Sequence, residues 1–218
     1  VSRPTIGSFF PTVNNRPALL VDAGANIDCK ARHLYEFAIM GSIYYSQILD
    51  VEFPKVGLLN VGEERTKGTE VVLQTYDLLE QSPLNFIGNV EGRDILFGNA
   101  DVFVCDGFTG NIILKFAESI IGVLKAKVQQ HADKGILEKL MVGAMAPTLR
   151  KVLKEFDYQE YGGVPLLGVN GVAIIGHGKS SPKAIQNMIV RAVDVATKNV
   201  NGLIASTLAS LTIPTDNN

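Results

Sequence analysis

Five short apolar runs, at residues 17–21, 56–61, 85–88, 101–105 and 171–175, recur along the 218 residues of this chain. Each closes in a turn rich in Gly, Asn or Asp, and four of them feed a helical stretch. Leu34, Phe37, Ala38, Tyr45, Ile48 and Leu49 line one side of the first helix, with Gly41 permitting close packing. Val71, Val72, Tyr76, Leu78 and Leu79 mark the second, and Ile112, Ile113, Phe116, Ala117, Ile120, Ile121 and Leu124 the third. A long helix over 182–206 is the fourth. Runs that are apolar throughout belong in a sheet covered on both faces. Strands alternating with helices then predict an α/β protein, a three-layer α/β/α sandwich around a largely parallel sheet. Residues 1–218 form a single domain of this kind on that reading, with 46% hydrophobic residues to fill its core.

Between residues 122 and 165 strand signals vanish. Two helical stretches, 134–145 and 148–156, separated by Ala146-Pro147, predict a helical hairpin insertion. Leu137, Leu140, Met141, Met145, Leu149, Val152, Leu153 and Phe156 supply apolar faces, with Lys139, Arg150, Lys151 and Lys154 beside them. Such a hairpin packs in the core or at a dimer interface. Alternatively it rests on a membrane surface, where basic residues meet anionic headgroups. At the tip of a dimer it does both.

Several classes fall away. A formal net charge of −2 leaves no electrostatic footprint for nucleic acid. No apolar run reaches the ~20 residues of a bilayer span. The start, Val1-Ser2-Arg3-Pro4, is neither an initiator Met nor a secretion leader, so the chain is taken as a cytoplasmic protein and a fragment of a longer one. Cys29 and Cys105 have no metal-ligand spacing and make a poor disulfide framework. No metal and no cofactor is expected. Cys105, at an apolar strand end, is expected in the core, and His33 and His131 on solvent-facing helix surfaces.

Chemistry is expected where the strands end, because open parallel sheets bind ligands beyond the carboxyl ends of their strands. Five such ends carry polar residues or glycine: Asp22, Gly24 and Asn26; Asn60, Glu63, Glu64 and Lys67; Asn89, Glu91 and Arg93; Asp106, Gly107, Thr109, Gly110 and Asn111; His177, Gly178 and Ser180. Any one alone is an ordinary turn, with Gly supplying positive φ and Asn or Asp capping a helix. Five on one rim predict a shared crevice. The run 106–111 stands out, since a strand–turn–helix junction exposes backbone N–H groups at the positive end of a helix dipole, an anion site. His177 sits in a strand-to-helix turn and either exchanges protons near neutral pH or bonds its own loop. Glu63 and Glu64, being adjacent, diverge and make no acid/base pair.

Two phosphate motifs nearly match and fail. Residues 173–180 imitate G-x-x-x-x-G-K-[ST], but Ala173 stands where the first Gly is needed. The same loop approximates a dinucleotide fingerprint without a following strand that carries an acid. With no G-x-S-x-G elbow either, several loops together must hold the anion.

The segments 21–26 (Val-Asp-Ala-Gly-Ala-Asn), 57–64 (Gly-Leu-Leu-Asn-Val-Gly-Glu-Glu) with Lys67-Gly68, and 86–94 (Phe-Ile-Gly-Asn-Val-Glu-Gly-Arg-Asp) resemble one family. So do 104–111 (Val-Cys-Asp-Gly-Phe-Thr-Gly-Asn), 161–169 (Tyr-Gly-Gly-Val-Pro-Leu-Leu-Gly-Val) and His177-Gly178. This is the phosphate acyltransferase of bacterial phospholipid synthesis, the PlsX type, and the resemblance runs in order over essentially the whole chain. It implies an α/β/α sandwich similar to the isocitrate and isopropylmalate dehydrogenases and to phosphotransacetylase. It implies transfer of an acyl group from acyl-acyl carrier protein to inorganic phosphate, by a homodimer at the cytoplasmic membrane face. The acyl phosphate would pass to a membrane glycerol-phosphate acyltransferase. The family's further N-terminal α/β segment, with a Met-Gly-Gly-Asp type loop, is not in this sequence, and Lys179 stands where a small residue is expected.

Phosphate attacking a thioester needs its charge neutralised and its oxygens aimed. Arg93 and Lys67, with N–H groups of 107–111 and 178–180, are the expected ligands. Asn89, Asn111 or His177 would meet the developing oxyanion, Asp106 would orient the reactants, and Asp22, Asn26, Asn60, Glu63, Glu91, Thr109, Gly110 and Ser180 would line the substrate site. The acyl chain is expected near 134–156. Rival readings are a phosphotransacetylase-like enzyme acting on acyl-CoA, a nicotinamide-dependent dehydrogenase of related fold, and a non-catalytic module docking carrier protein or membrane.

Overall fold

The computed structural model describes residues 1–14, 16–154, 163–176, 178 and 180–211. Its strands are β1 (Thr5–Phe10), β2 (Ala18–Val21), β3 (Lys55–Leu59), β4 (Asn85–Val90), β5 (Val102–Val104), β6 (Val164–Leu167) and β7 (Ile174–Ile175). Its helices are α1 (Ala31–Leu49), α2 (Glu70–Glu80), α3 (Asp94–Phe97), α4 (Gly107–Ala132), α5 (Ile136–Lys154), α6 (Pro182–Thr197) and α7 (Val200–Ser210). One sheet takes the strands in the order β4-β3-β5-β2-β1-β6-β7.

Four of the apolar runs form its parallel half. β2 pairs with β5 in the register Leu19↔Val102 and Val21↔Val104, and β3 with β5 as Val56↔Val102 and Leu58↔Val104. The pleat then sends Leu19, Val21, Val56, Leu58, Val102 and Val104 into one core, and Leu20, Leu59 and Phe103 into a second on the opposite face. Burial on both faces is why these strands are apolar throughout. The first core is roofed by α1, α2, α6 and α7, the second by α3 and the first turns of α4. Gly41 permits the expected close approach, since a Cβ there would lie 2.9 Å from Val102 Cγ1 and 3.1 Å from Val21 Cγ2.

The remaining strands were hidden in the sequence. β1 runs antiparallel to β2 (Gly7↔Val21) and β6 antiparallel to β1 (Thr5↔Leu167). β6 therefore points the same way as β2, and five of the seven strands share one direction, so the sheet is largely parallel. The fifth run contributes only the two residues of β7, antiparallel to β6. The long helix expected over 182–206 is two, because Asn199 adopts φ 49° and breaks it between α6 and α7.

The hairpin differs in detail. Its first arm is α4, docked in the sheet at one end and continuing unbroken to Ala132; the turn falls at 133–135. The second arm is one helix, α5, with Pro147 inside it. A proline ring presses on the carbonyl four residues back, here that of Gly143, whose surroundings are open. Phe156 lies outside the described residues. The apolar faces are uncovered: Ile112, Phe116, Ile120 and Val123 of α4 and Leu137, Leu140, Met141 and Met145 of α5 are all exposed. The hairpin therefore does not pack in this chain's own core. By length and composition α4 could cross a membrane, with a mean hydropathy of 1.3. Its first turn, however, is buried in the sheet rim at Gly107 and Gly110.

A buried charge ties the start of the chain to α1. The Glu36 carboxylate, 1% exposed, accepts bonds from Ser2 N–H (2.6 Å), Ser2 Oγ (2.7 Å) and Arg32 Nε (3.0 Å). Burial pushes its pKa up, but the two Ser2 bonds and then Arg32 outweigh burial and hold it below the ordinary value. A depressed carboxyl stabilises the fold above its unfolded pKa, ~4.3, and that stability is lost as pH falls through the folded value. Glu36→Gln should flatten the melting temperature between about pH 5 and pH 3 relative to wild type; parallel curves would show that Glu36 does not set the acid limb.

Candidate active site

The carboxyl ends of β2, β5, β3 and β4 finish side by side. Backbone bonds continue the ladder one step past the strands: Asp22 N–H to Cys105 O (3.0 Å), Cys105 N–H to Val21 O (2.7 Å) and Asn60 N–H to Val90 O (2.8 Å). Asp22, Cys105, Asn60 and Glu91 thus head four neighbouring loops, and four of the five expected ends do share a rim. The fifth does not. β7 runs against β6, so the chain after Ile175 leaves toward the opposite end of the sheet, three strands away from β2. Gly178 is exposed, with nothing among the described residues within 4 Å of an added Cβ, and Ser181 accepts Ala184 N–H as the cap of α6. His177 and Lys179 lie outside the described residues. Of this loop, Gly178 and Ser180 are not brought to the crevice.

Asp22 is wholly buried. Its Oδ1 accepts from Gly24 N–H (2.9 Å), Ala25 N–H (2.8 Å) and Ile6 N–H (3.4 Å), and its Oδ2 from Asn26 N–H (2.8 Å) and Asn26 Nδ2 (2.7 Å). A carboxylate with five internal donors faces its own loop, so the substrate-lining role expected of Asp22 is replaced by a structural one. Asn26 is likewise engaged: Nδ2 also donates to Pro4 O (2.8 Å), and its carbonyl accepts Gly107 N–H at 2.7 Å.

The last bond docks α4 on the 22–26 loop, and both helix glycines are needed there. A Cβ on Gly107 would lie 2.7 Å from the Asn26 backbone, and one on Gly110 would fall on the Asp22 carbonyl oxygen. The same docking corrects the anion-site expectation. Gly107 N–H goes to Asn26, Thr109 N–H to Asp106 Oδ1 (2.8 Å) and Gly110 N–H to Asp106 O (3.0 Å), while Thr109 Oγ1 donates to Asp106 Oδ2 (3.0 Å). Asp106 is the helix's own N-cap and the resident negative charge at its dipole. Phe108 N–H is the first-turn donor left without a partner among the described residues. Asn111 is exposed at the next position, against Gly24.

The third and fourth loops carry the cations. Asn60 donates Nδ2 to Lys67 O (2.9 Å) and accepts Val61 N–H (2.8 Å). Asn89, expected in a turn, is instead inside β4 and 7% exposed; its Nδ2 donates to Glu64 O (3.0 Å). Arg65 turns away to Asp77 and Glu80 on α2, leaving Lys67 as the cation of the 60–68 loop with no ion pair among the described residues. Arg93 is 67% exposed, 3.0 Å from Glu91 and 3.7 Å from Glu63. These two carboxylates, expected to line the substrate, face Arg93 instead. Asp94, given no role in the sequence reading, accepts Glu91 N–H (2.7 Å) and Asn99 Nδ2 (2.7 Å) and so shapes the turn beneath Arg93. An Asp closing a Gly-containing turn is the signal that could have found it.

Neither cysteine is poised for attack. Burial, then Asp22 and Asp106, pushes the Cys29 thiol up to about 11. Burial, then Asp106 and Asp22, also raises the Cys105 thiol well above its ordinary value, its Sγ resting against the Asp22 carbonyl. His33 corrects another expectation: it is buried, and its Nδ1 accepts Lys30 N–H at 3.1 Å at the start of α1.

Four neighbouring parallel strand ends, with Lys67 and Arg93 on their loops, define an α/β protein with a candidate site along one rim of its sheet, and comparison with known proteins places it further. The family model described as "Fatty acid synthesis protein" matches residues 1–203, and the chain belongs to that family. A phosphate acyltransferase of Moorella thermoacetica is 47% identical over 211 residues, 97% of this chain and 61% of that protein. One of Heliobacterium modesticaldum is 51% identical over 189 residues, 87% of this chain and 56% of that protein. The chain thus spans about 60% of the length of the curated relatives it matches. Among solved structures, a branched-chain phosphotransacylase from Enterococcus faecalis shares the fold, with a TM-score of 0.51 and 15% identity over 89% of this chain and 66% of that one.

Proposed function

We propose that this protein is an acyltransferase that moves a fatty acyl group from acyl-acyl carrier protein to inorganic phosphate, giving acyl phosphate for phospholipid synthesis. The family match over residues 1–203 carries the reading, and the curated relatives named phosphate acyltransferase support it. The rim supplies the parts. Lys67 and Arg93 neutralise and aim phosphate. A phosphate oxygen attacks the thioester carbonyl carbon; the carbonyl oxygen becomes an oxyanion within reach of donors at the start of α4, Phe108 N–H and the Asn111 amide. The intermediate collapses by breaking the C–S bond, and the electron pair leaves on sulfur. A thiol pKa of ~8.5 makes that thiolate a good leaving group needing little acid assistance. The two thiols of the chain take no part in this scheme.

The α4–α5 hairpin is proposed as the contact with a second copy and with the cytoplasmic membrane face, the protein being peripheral and cytoplasmic. Residues 107–154 hold eight basic and three acidic residues, a formal +5 in a chain of −2 overall, beside uncovered apolar stripes. That pairing suits anionic headgroups. There the acyl phosphate would meet a membrane glycerol-phosphate acyltransferase.

The test is free carrier-protein thiol released from acyl-acyl carrier protein with and without phosphate. Release that depends on phosphate and falls at least about tenfold in Arg93→Ala or Lys67→Ala is expected. No phosphate-dependent release from wild type would overturn the reading, and faster turnover of acyl-CoA would move it to the phosphotransacetylase class.

A further inference from the structure

We infer that Asn60 and Asn89 are positioning residues which fix the backbone of Lys67 and so present its ammonium to phosphate. The inference rests on the function proposed above. Lys67 O accepts Asn60 Nδ2 at 2.9 Å, and Lys67 N–H donates to Glu64 O at 3.1 Å. That same Glu64 carbonyl accepts Asn89 Nδ2 at 3.0 Å. Both backbone groups of Lys67 are therefore tied, one directly and one through Glu64, to asparagines at the ends of two adjacent strands.

Three further observations support this assignment. Gly68, next in the chain, has φ +102°, and a Cβ there would lie 2.5 Å from Asn60 Oδ1. The loop thus closes tightly on Asn60, in a conformation that favours glycine. Asn89 Oδ1 is buried without a hydrogen-bond partner among the described residues. An unpaired buried acceptor costs stability, and such a cost is tolerated at functional sites for what the other end of the group does. Here the other end holds the Lys67 loop. Finally, the two rim cations are not equivalent. Arg93 already faces Glu91 and Glu63, whereas Lys67 has a fixed backbone, an exposed side chain and no ion pair among the described residues. A lysine side chain has four rotatable carbons, so immobilising its root is the available way to aim it.

The experiment is a titration of the purified protein with inorganic phosphate, read as a dissociation constant, with melting temperature measured alongside. Lys67→Ala should weaken binding at least about tenfold. Asn60→Ala and Asn89→Ala should each weaken it about threefold or more, and should add nothing when combined with Lys67→Ala. Asn60 is only half-buried, so Asn60→Ala keeps the test alive if Asn89→Ala fails to fold. Equal losses with and without Lys67, or no loss in a folded Asn60→Ala, would overturn the positioning role while leaving the phosphate site in place. Wild type that binds no phosphate would overturn the functional reading and this one together.

Discussion

Asp22→Ala should cost about 3–5 kcal/mol, because it strands several amide donors at once, each worth about 1–3 kcal/mol when left unsatisfied. The substitution deletes a carboxylate of zero exposure and leaves the Ile6, Gly24, Ala25 and Asn26 N–H groups without their acceptor, Asn26 Nδ2 keeping only Pro4 O. Each unsatisfied buried donor costs about 1–3 kcal/mol, offset in part because the charge no longer has to be kept from water. Against a typical total of about 5–15 kcal/mol the loss is severe. For a chain of this length it should lower the melting temperature on the order of 10 °C. Asp22→Asn keeps the shape but turns one oxygen into a donor facing other donors, so it should fall between wild type and alanine. A thermal melt of the three proteins checks the order; an alanine variant within 1 °C of wild type would mean the loop does not depend on this carboxylate. The damage should reach the site, because the 22–26 loop is also the seat of α4.

How far the sequence disclosed this structure depends on what each residue had to announce. The parallel half was legible, since residues 18–21, 56–59 and 102–104 are buried on both faces and can only be apolar. β1 and β6 were not. Ser8 and Thr5 interrupt the first, Pro165 stands inside the second, and the pairing of one with the other, Thr5 against Leu167, joins opposite ends of the chain. Pro147 suggested a break, yet α5 continues through it as one helix. The site was legible as a place more than as a set of roles. Asp22, Asn26, Asn60, Asn89 and Asp106 all bear groups that could touch a substrate. Whether such a group faces outward or ties its own loop depends on where backbone donors fall in three dimensions, which no spacing reveals. Lys67 and Arg93 both sit on the expected loops, but the sequence did not show that Arg93 would face Glu91 and Glu63 while Lys67 has no ion pair among the described residues. The fifth loop was misplaced because strand direction, rather than the turn itself, decides which end of the sheet a loop occupies.

Gly110→Ala and Gly122→Ala should shift stability in opposite directions although both lie within α4. In an ordinary exposed helix position, alanine gains about 0.5–1 kcal/mol over glycine through backbone entropy. Gly122 is such a position, exposed and with nothing within 4 Å of an added Cβ. Its replacement should raise the melting temperature by a few degrees. At Gly110 the same methyl group would fall on the Asp22 carbonyl oxygen and come within 2.9 Å of Asp22 C and 3.1 Å of Cys105 Sγ. Its neighbours are backbone and a buried strand-end side chain, which cannot swing aside as a flexible surface group would. Either α4 lifts away, breaking the Gly107 N–H bond to Asn26, or the 22–26 loop deforms around the Asp22 hub. Overpacking of this kind costs about 1–3 kcal/mol and, against rigid backbone, the upper end or beyond. That exceeds the helix-propensity gain, so the sign reverses. Melting temperatures of the two variants measured side by side decide the matter. Stabilisation by both would show that α4 does not seat on the loop at Gly110, and the donors assigned to the start of that helix would lose their geometric support.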